Sequence, residues 1–321
     1  MYYDKPIDFS IHNGMLPNVL IFGNGLIHNK NNGGWSDVIC KIAGCDKQQS
    51  IENAPYTLIA TLQLPKDDKE RHNKYDMYFN ENKVSGYEYG SYPVLEQLLK
   101  LPFNVVLSTN FTYEAENVFS PGFNLLKSAT KSKYQYFTKK ETDRNKDRFG
   151  LCKYYKFSDN SPAVFHIHGE TRNTSSMVFT HDEYSRFLAA VVEYNKQLGK
   201  KYYDYADSFH FESWIDYLLL GNVYIVGLGF DFSEFDLWWL LNRRNREKLV
   251  QTGKVYFYCP ENESSKDNKY REKISALEML GVSVEHCNVD FSSLDLSESE
   301  KYSLFYKLAI EDINSKLNNG D

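Results

Sequence analysis

The sequence predicts an α/β fold built on a doubly wound, mostly parallel sheet, with helical and aromatic insertions forming a smaller subdomain. Three observations predict it. Short, continuous apolar runs recur along the chain, as expected of central parallel strands buried on both faces. Segments with helical apolar spacing separate them, so strands alternate with helices through crossovers. Finally, four of the runs end in small, polar or glycine residues, at Phe22 to Leu26, Leu107 to Phe111, His168-Gly169 and Val226 to Phe230. In an open parallel sheet such strand ends gather around one crevice beyond the carboxyl edge.

With 321 residues and 42% hydrophobic content, the chain can bury a full core. We expect one domain over residues 1–321, with insertions at 51–92 and 113–160. The longest apolar runs fall far short of a membrane helix, and MYYDKPIDFS at the start lacks a basic, then apolar, secretory pattern. Five cysteines, an odd number, fit free thiols in a reducing cytoplasm. No CxxC pair is present, so a four-cysteine zinc ribbon is excluded. The net charge of −6 argues against a nucleic-acid surface, which relies on clustered Lys and Arg.

Taken in order, Val19 to Phe22 reads as a buried strand entering Gly23-Asn24-Gly25, with a helix beginning near Trp35. Strand, glycine turn and helix are the ingredients of a nucleotide-binding unit, because small residues let backbone N–H groups approach phosphates. GNG is only the first part of a dinucleotide fingerprint, and His28 occupies its third glycine position. An ordinary tight turn is the competing reading. Tyr56 to Leu64 is read as a strand. Pro93 to Leu101 starts a helix with Pro near N1, and Asn104 to Leu107 is a second buried strand entering Thr109-Asn110-Phe111. After the polar, aromatic stretch at 113–160, Ala163 to Ile167 forms the strand that delivers His168 to Gly169. Thr180 caps a helix whose first turn carries Asp182 and Glu183. Val223 to Val226 then runs into Gly227-Leu228-Gly229, and Ser233 is read as the N-cap of the helix that follows. Two further strands, Val255 to Cys259 and Val282 to Cys287, alternate with helices at Lys269 to Leu280 and Ser299 to Leu317.

Asn110 and His168 are the candidate chemical pair. An asparagine offers both donor and acceptor, so at a strand end it can orient a hydroxyl or a water. A neutral histidine can take a hydroxyl proton near physiological pH. Against this, Asn is a common turn residue and a strand-end His is often simply hydrogen-bonded structure. His166 and His168 lie two apart, but no carboxylate or cysteine at ligand spacing accompanies them, so no metal site is expected. Neither a GxSxG elbow nor a P-loop occurs.

The order of these motifs resembles the sirtuin-like, Rossmann-like domains of bacterial anti-phage defence proteins. The resemblance is carried by Gly23-Asn24-Gly25 with the Trp35 helix, Thr109-Asn110-Phe111 with Glu116 downstream, and His168-Gly169. Thr180 to Tyr184, and Gly227-Leu228-Gly229 followed by Asp236, complete it. Thr112 stands where that family often has Asp, and the cysteine zinc ribbon of protein-deacetylating sirtuins is missing. The resemblance implies an NAD+ glycohydrolase that cleaves the nicotinamide–ribose bond and depletes NAD+ during abortive infection. It implies that Asn110 and His168 are catalytic. Gly23, Asn24, Gly25 and Leu26 would contact the pyrophosphate, Thr109 and Phe111 would line the nucleotide site, and Gly227, Leu228 and Gly229 would take the adenosine half. NAD+ would be substrate, with no zinc and no other cofactor. An enzyme so destructive needs a partner protein or homo-oligomerisation to switch it. Two alternatives stay open: a sensor that binds NAD+ or ADP-ribose without turnover, and an NAD-dependent acyl or ADP-ribosyl transferase.

Overall fold

The computed structural model describes residues 16–27, 35–44, 54–81, 92–123, 135–137, 149–204, 211–246, 252–260, 268–289 and 296–319. Among the described residues, eight strands form one sheet. They are β1 (Asn18–Phe22), β2 (Val105–Ser108), β3 (Gln135–Phe137), β4 (Tyr154–Lys156), β5 (Ala163–His166), β6 (Asn222–Val226), β7 (Val255–Pro260) and β8 (Ser283–Cys287). Their order is β3-β4-β5-β2-β1-β6-β7-β8. From β5 to β8 every neighbouring pair is parallel, and only β3 and β4 run antiparallel at one edge. Counting the parallel strands alone along the chain, the order is 3-2-1-4-5-6, the doubly wound arrangement in which chain direction across the sheet reverses at the first strand. The switch point therefore lies between β1 and β6.

Alternate residues of the strands feed two cores. Val19, Ile21, Val105, Leu107, Val223, Ile225 and Phe257 face one, while Leu20, Phe22, Val106, Tyr224, Val226 and Tyr256 face the other. A strand buried on both faces has no reason to alternate apolar with polar, so these strands read as continuous apolar runs. The first face is covered by α6 (His181–Asp204), α7 (Trp214–Leu220), α8 (Phe235–Arg246) and α9 (Asn268–Met279). The second is covered by α4 (Pro93–Leu98), α5 (Glu114–Phe119) and α10 (Glu298–Asn319).

Tyr56 to Leu64 corrects the strand expected there: Tyr56–Gln63 is the helix α2. Thr57, Ile59 and Ala60 are buried along it, a helical stripe in which β-branched residues are held by tertiary packing against their local preference. With α1 (Trp35–Ala43) and α3 (Asp68–Asp76), α2 builds a third apolar cluster around Ile39, Ile59, Tyr75, Phe111 and Phe179. Arg71 of α3 pins this subdomain to α6. Its Nε donates to Glu183 Oε1 at 2.7 Å and its Nη1 to the Pro65 carbonyl at 2.8 Å. Glu183 Oε2 in turn accepts the backbone N–H groups of Phe179 and Thr180, both at 2.9 Å.

The stretch at 113–160 supplies α5, β3 and β4 among the described residues, and β4 joins the sheet through Tyr155 opposite Val164. The expected strand through Ile167 stops at His166, because the chain turns there into Gly169, whose φ is +91°. No larger residue fits that turn: a Cβ on Gly169 would lie 2.3 Å from the Ser176 carbonyl oxygen. Ser233 does not cap α8 as expected. The helix begins at Phe235, and the Ser233 hydroxyl instead donates to Asp231 Oδ1 at 2.8 Å. Among the described residues no helix is long and apolar enough to cross a membrane.

Candidate functional site

The ends of β1 and β6 meet at the switch point, beside the corners that follow β2 and β5. After β1 the chain makes a 3-10 turn over Asn24–Leu26, and the Gly25 N–H donates to the Gly227 carbonyl beyond β6 at 2.8 Å. The two glycine turns thus cross in direct backbone contact. A Cβ on Gly25 would lie 2.6 Å from that carbonyl oxygen, and one on Gly227 would lie 2.6 Å from Leu26 Cγ. Leu26 and Leu228 are buried in the crossing, whereas Gly25 and Gly229 are exposed and Asn24 is half-buried. The glycines first serve this close approach. Within the turn the N–H groups of Gly25, Leu26 and Ile27 already donate to protein carbonyls.

Thr109 ties the β2 corner to β1, its N–H donating to the Phe22 carbonyl at 3.1 Å. Phe111 turns away from the edge, its ring stacked on Phe179 with centroids 4.7 Å apart. Between them sits Asn110. Its side chain is buried and Nδ2 has no hydrogen-bond partner among the described residues. Ser108 pairs with His166 as the last step of the β2–β5 ladder, so the Asn110 and His168 corners leave neighbouring strands.

The two histidines go to separate partners. His166 Nδ1 donates to the Asn110 carbonyl at 2.9 Å, and its Nε2 lies 2.8 Å from Glu116 Oε1. Burial works against charging this ring, but the Glu116 carboxylate, with Glu170 nearby, outweighs it and holds the imidazole up at about 9. Glu170 itself accepts from the Tyr113 hydroxyl at 2.9 Å and from the Tyr155 hydroxyl. His166 is thus the brace behind Asn110, fixing its carbonyl from one side. Thr112 donates its hydroxyl to Glu114.

His168 Nε2 lies 3.1 Å from Asp236 Oδ2, at the start of α8. Burial again opposes charge, and Asp236 with Glu234 raises the imidazole above its ordinary value. Glu234 is driven the other way for an acid: burial pushes its carboxyl up to about 8. Glu234 Oε2 and Asp236 Oδ1 are buried without hydrogen-bond partners among the described residues. Two phenols close the cluster. The Tyr184 ring lies 5.7 Å from His168, and the Tyr184 and Tyr56 hydroxyls are 2.9 Å apart.

A stability signature follows from His166. Its folded value of about 9 lies above the ordinary value of about 6.5. The ion pair with Glu116 therefore contributes fully below about pH 6.5, and its contribution is lost as pH climbs through 9. Glu234 adds a loss of the same sign between its ordinary value and about 8. We expect the melting temperature to fall across pH 6.5 to 9 and expect His166→Gln to flatten the upper part of that fall. Calorimetric scans at stepped pH would check this, and an unchanged slope in the variant would contradict the His166–Glu116 pairing.

Of the residues singled out in the sequence, Thr109 and the two glycine turns touch at the strand ends, Asn110 follows Thr109 at the same corner, and His168 reaches Asp236. Phe111 joins the third apolar cluster instead, and Leu26 and Leu228 offer only backbone to a ligand. His28, Gly33 and Gly34 lie outside the described residues. Sequence reasoning did not single out Glu234, and it had no signal for Tyr56. Among the described residues no group of His, Cys, Asp or Glu is arranged to hold a metal ion. A family model described as SIR2-like domain matches residues 104–280, which include Asn110, His168, the second glycine turn and Asp236. A search of curated proteins found no match.

Proposed function

Because the chain belongs to the SIR2-like domain family, we propose that it binds NAD+ at the switch point and hydrolyses its nicotinamide–ribose bond, releasing nicotinamide and ADP-ribose. The observation that carries this reading is the buried Asn110 amide nitrogen, left without a partner among the described residues, at the corner of the strand next to the one that delivers His168. A buried polar group without a partner is unfavourable unless a ligand or water completes it.

Breaking this bond develops positive charge on the ribose, so the site must orient the sugar and stabilise a cation while nicotinamide departs. Asn110 orients the attacking water and a ribose hydroxyl. His168 hydrogen-bonds the ribose and takes the proton released as water adds. The carboxylate of Asp236 supplies negative potential to the same end of the sheet. Asn24 and the exposed edge of the first glycine turn approach the pyrophosphate, and open space around Gly229 admits the adenosine half. Gly23, Thr109 and Gly227 hold these surfaces in place.

By its sequence resemblance, the protein acts in the bacterial cytoplasm as an anti-phage effector, depleting NAD+ when a partner protein or self-assembly releases it. The test is incubation of the purified chain with NAD+, alone and with proteins encoded beside it, following nicotinamide and ADP-ribose by mass spectrometry. Equimolar release of both supports the reading. Thermal stabilisation by NAD+ at constant NAD+ concentration would replace hydrolysis with sensing. Transfer of ADP-ribose to protein, or loss of an acyl group, would mark a transferase.

A further inference from the structure

His168 has two ring nitrogens, and the fold occupies one of them. Nε2 meets Asp236 Oδ2 at 3.1 Å, whereas Nδ1 has no partner among the described residues. Asp236 is wholly buried in the first turn of α8, where the helix dipole favours a carboxylate. The imidazole is confined as well, with the Tyr184 ring 5.7 Å away and the Phe187 ring edge-on at 6.0 Å. The titratable and charged groups around it are Asp231, Glu234 and Asp236 at the start of α8, Tyr184 of α6 and Tyr56 of α2, with Lys273 of α9 beside Glu234.

Resting on the NAD+ reading above, we propose that Asp236 is the positioning residue of the site: by holding Nε2 of His168 it turns Nδ1 to the substrate and decides which nitrogen exchanges the proton. An ionised carboxylate can only accept a hydrogen bond, so it selects the neutral tautomer that carries its proton on Nε2. The lone pair on Nδ1 is then the acceptor. As water adds to the ribose carbon, its O–H bond breaks and an Nδ1–H bond forms. The electron pair of the carbon–nitrogen bond leaves with neutral nicotinamide. The resulting imidazolium keeps its charge beside Asp236.

The tautomer is measurable without turnover. In wild-type protein carrying 15N-histidine, above the pH at which His168 titrates, Nε2 is expected to be protonated and Nδ1 bare. The opposite tautomer would overturn the proposal, whether or not NAD+ is consumed. Asp236→Asn is expected to lower kcat on the order of 100-fold with KM little changed. It should also move the rising limb of the pH–rate profile to lower pH, since the ring loses the carboxylate that raises it, and Asp236→Glu should recover part of the rate. An unchanged His168 titration and pH profile in Asp236→Asn would equally overturn it. If that variant does not fold, the wild-type tautomer decides. An Nε2–H tautomer in a protein that leaves NAD+ intact would sink the hydrolase reading and spare the geometry.

Discussion

Asn110→Ala is expected to reduce NAD+ hydrolysis by on the order of 100- to 1,000-fold while changing stability by less than about 1 kcal/mol. Both halves come from the same contacts. The Asn110 main chain is held on two sides, its N–H donating to Ser108 Oγ at 3.2 Å and its carbonyl accepting from His166 at 2.9 Å. Alanine keeps both. The side-chain amide nitrogen has no partner to lose among the described residues, so its removal takes little from the fold and takes from the site the group proposed to orient water and ribose. Product release and urea unfolding measured on one preparation check the pair. A variant that is both inactive and strongly destabilised would show that Asn110 serves the fold.

Arg71→Met is expected to do the reverse, lowering unfolding free energy by about 3–5 kcal/mol. Arg71 and Glu183 are both almost fully buried, with exposures of 2% and 0%. Without the guanidinium, Glu183 retains the Phe179 and Thr180 amides and the Tyr75 hydroxyl, but its charge has lost its counterion. An uncompensated buried charge is the expensive state; replacing both partners is milder. The double variant Arg71→Met with Glu183→Gln should therefore recover part of the loss, and urea denaturation of the three variants measures the coupling. Equal losses in the single and double variants would place the effect in packing.

The parallel strands were legible because burial on two faces writes itself as unbroken apolar text, as in Val19 to Phe22 and Val223 to Val226. The corners at Asn110 and His168 were legible because such strands end on the ligand edge of the sheet. Where one residue answers two demands, the reading fails. Tyr56 to Leu64 carries strand-forming side chains yet lies helical, since its buried stripe packs into a cluster formed with distant Phe111 and Phe179. The edge strands β3 and β4 are short and polar in context, so pairing alone defines them. Glu234 stands in the sequence as one acid among several before a helix, and only the third dimension shows that it is buried and that Tyr56, from another part of the chain, lies beside it.

The crossing of the two glycine turns has a mechanical consequence. The bond from Gly25 to Gly227 rivets the first half of the sheet to the second at its centre, with Leu26 and Leu228 as the washers. A force applied to either turn is shared at once by β1 and β6, and through them by both apolar cores. On the proposed NAD+ reading, the dinucleotide would lie over this fixed crossing, and the surfaces that adapt to it would be the side chains around the crossing.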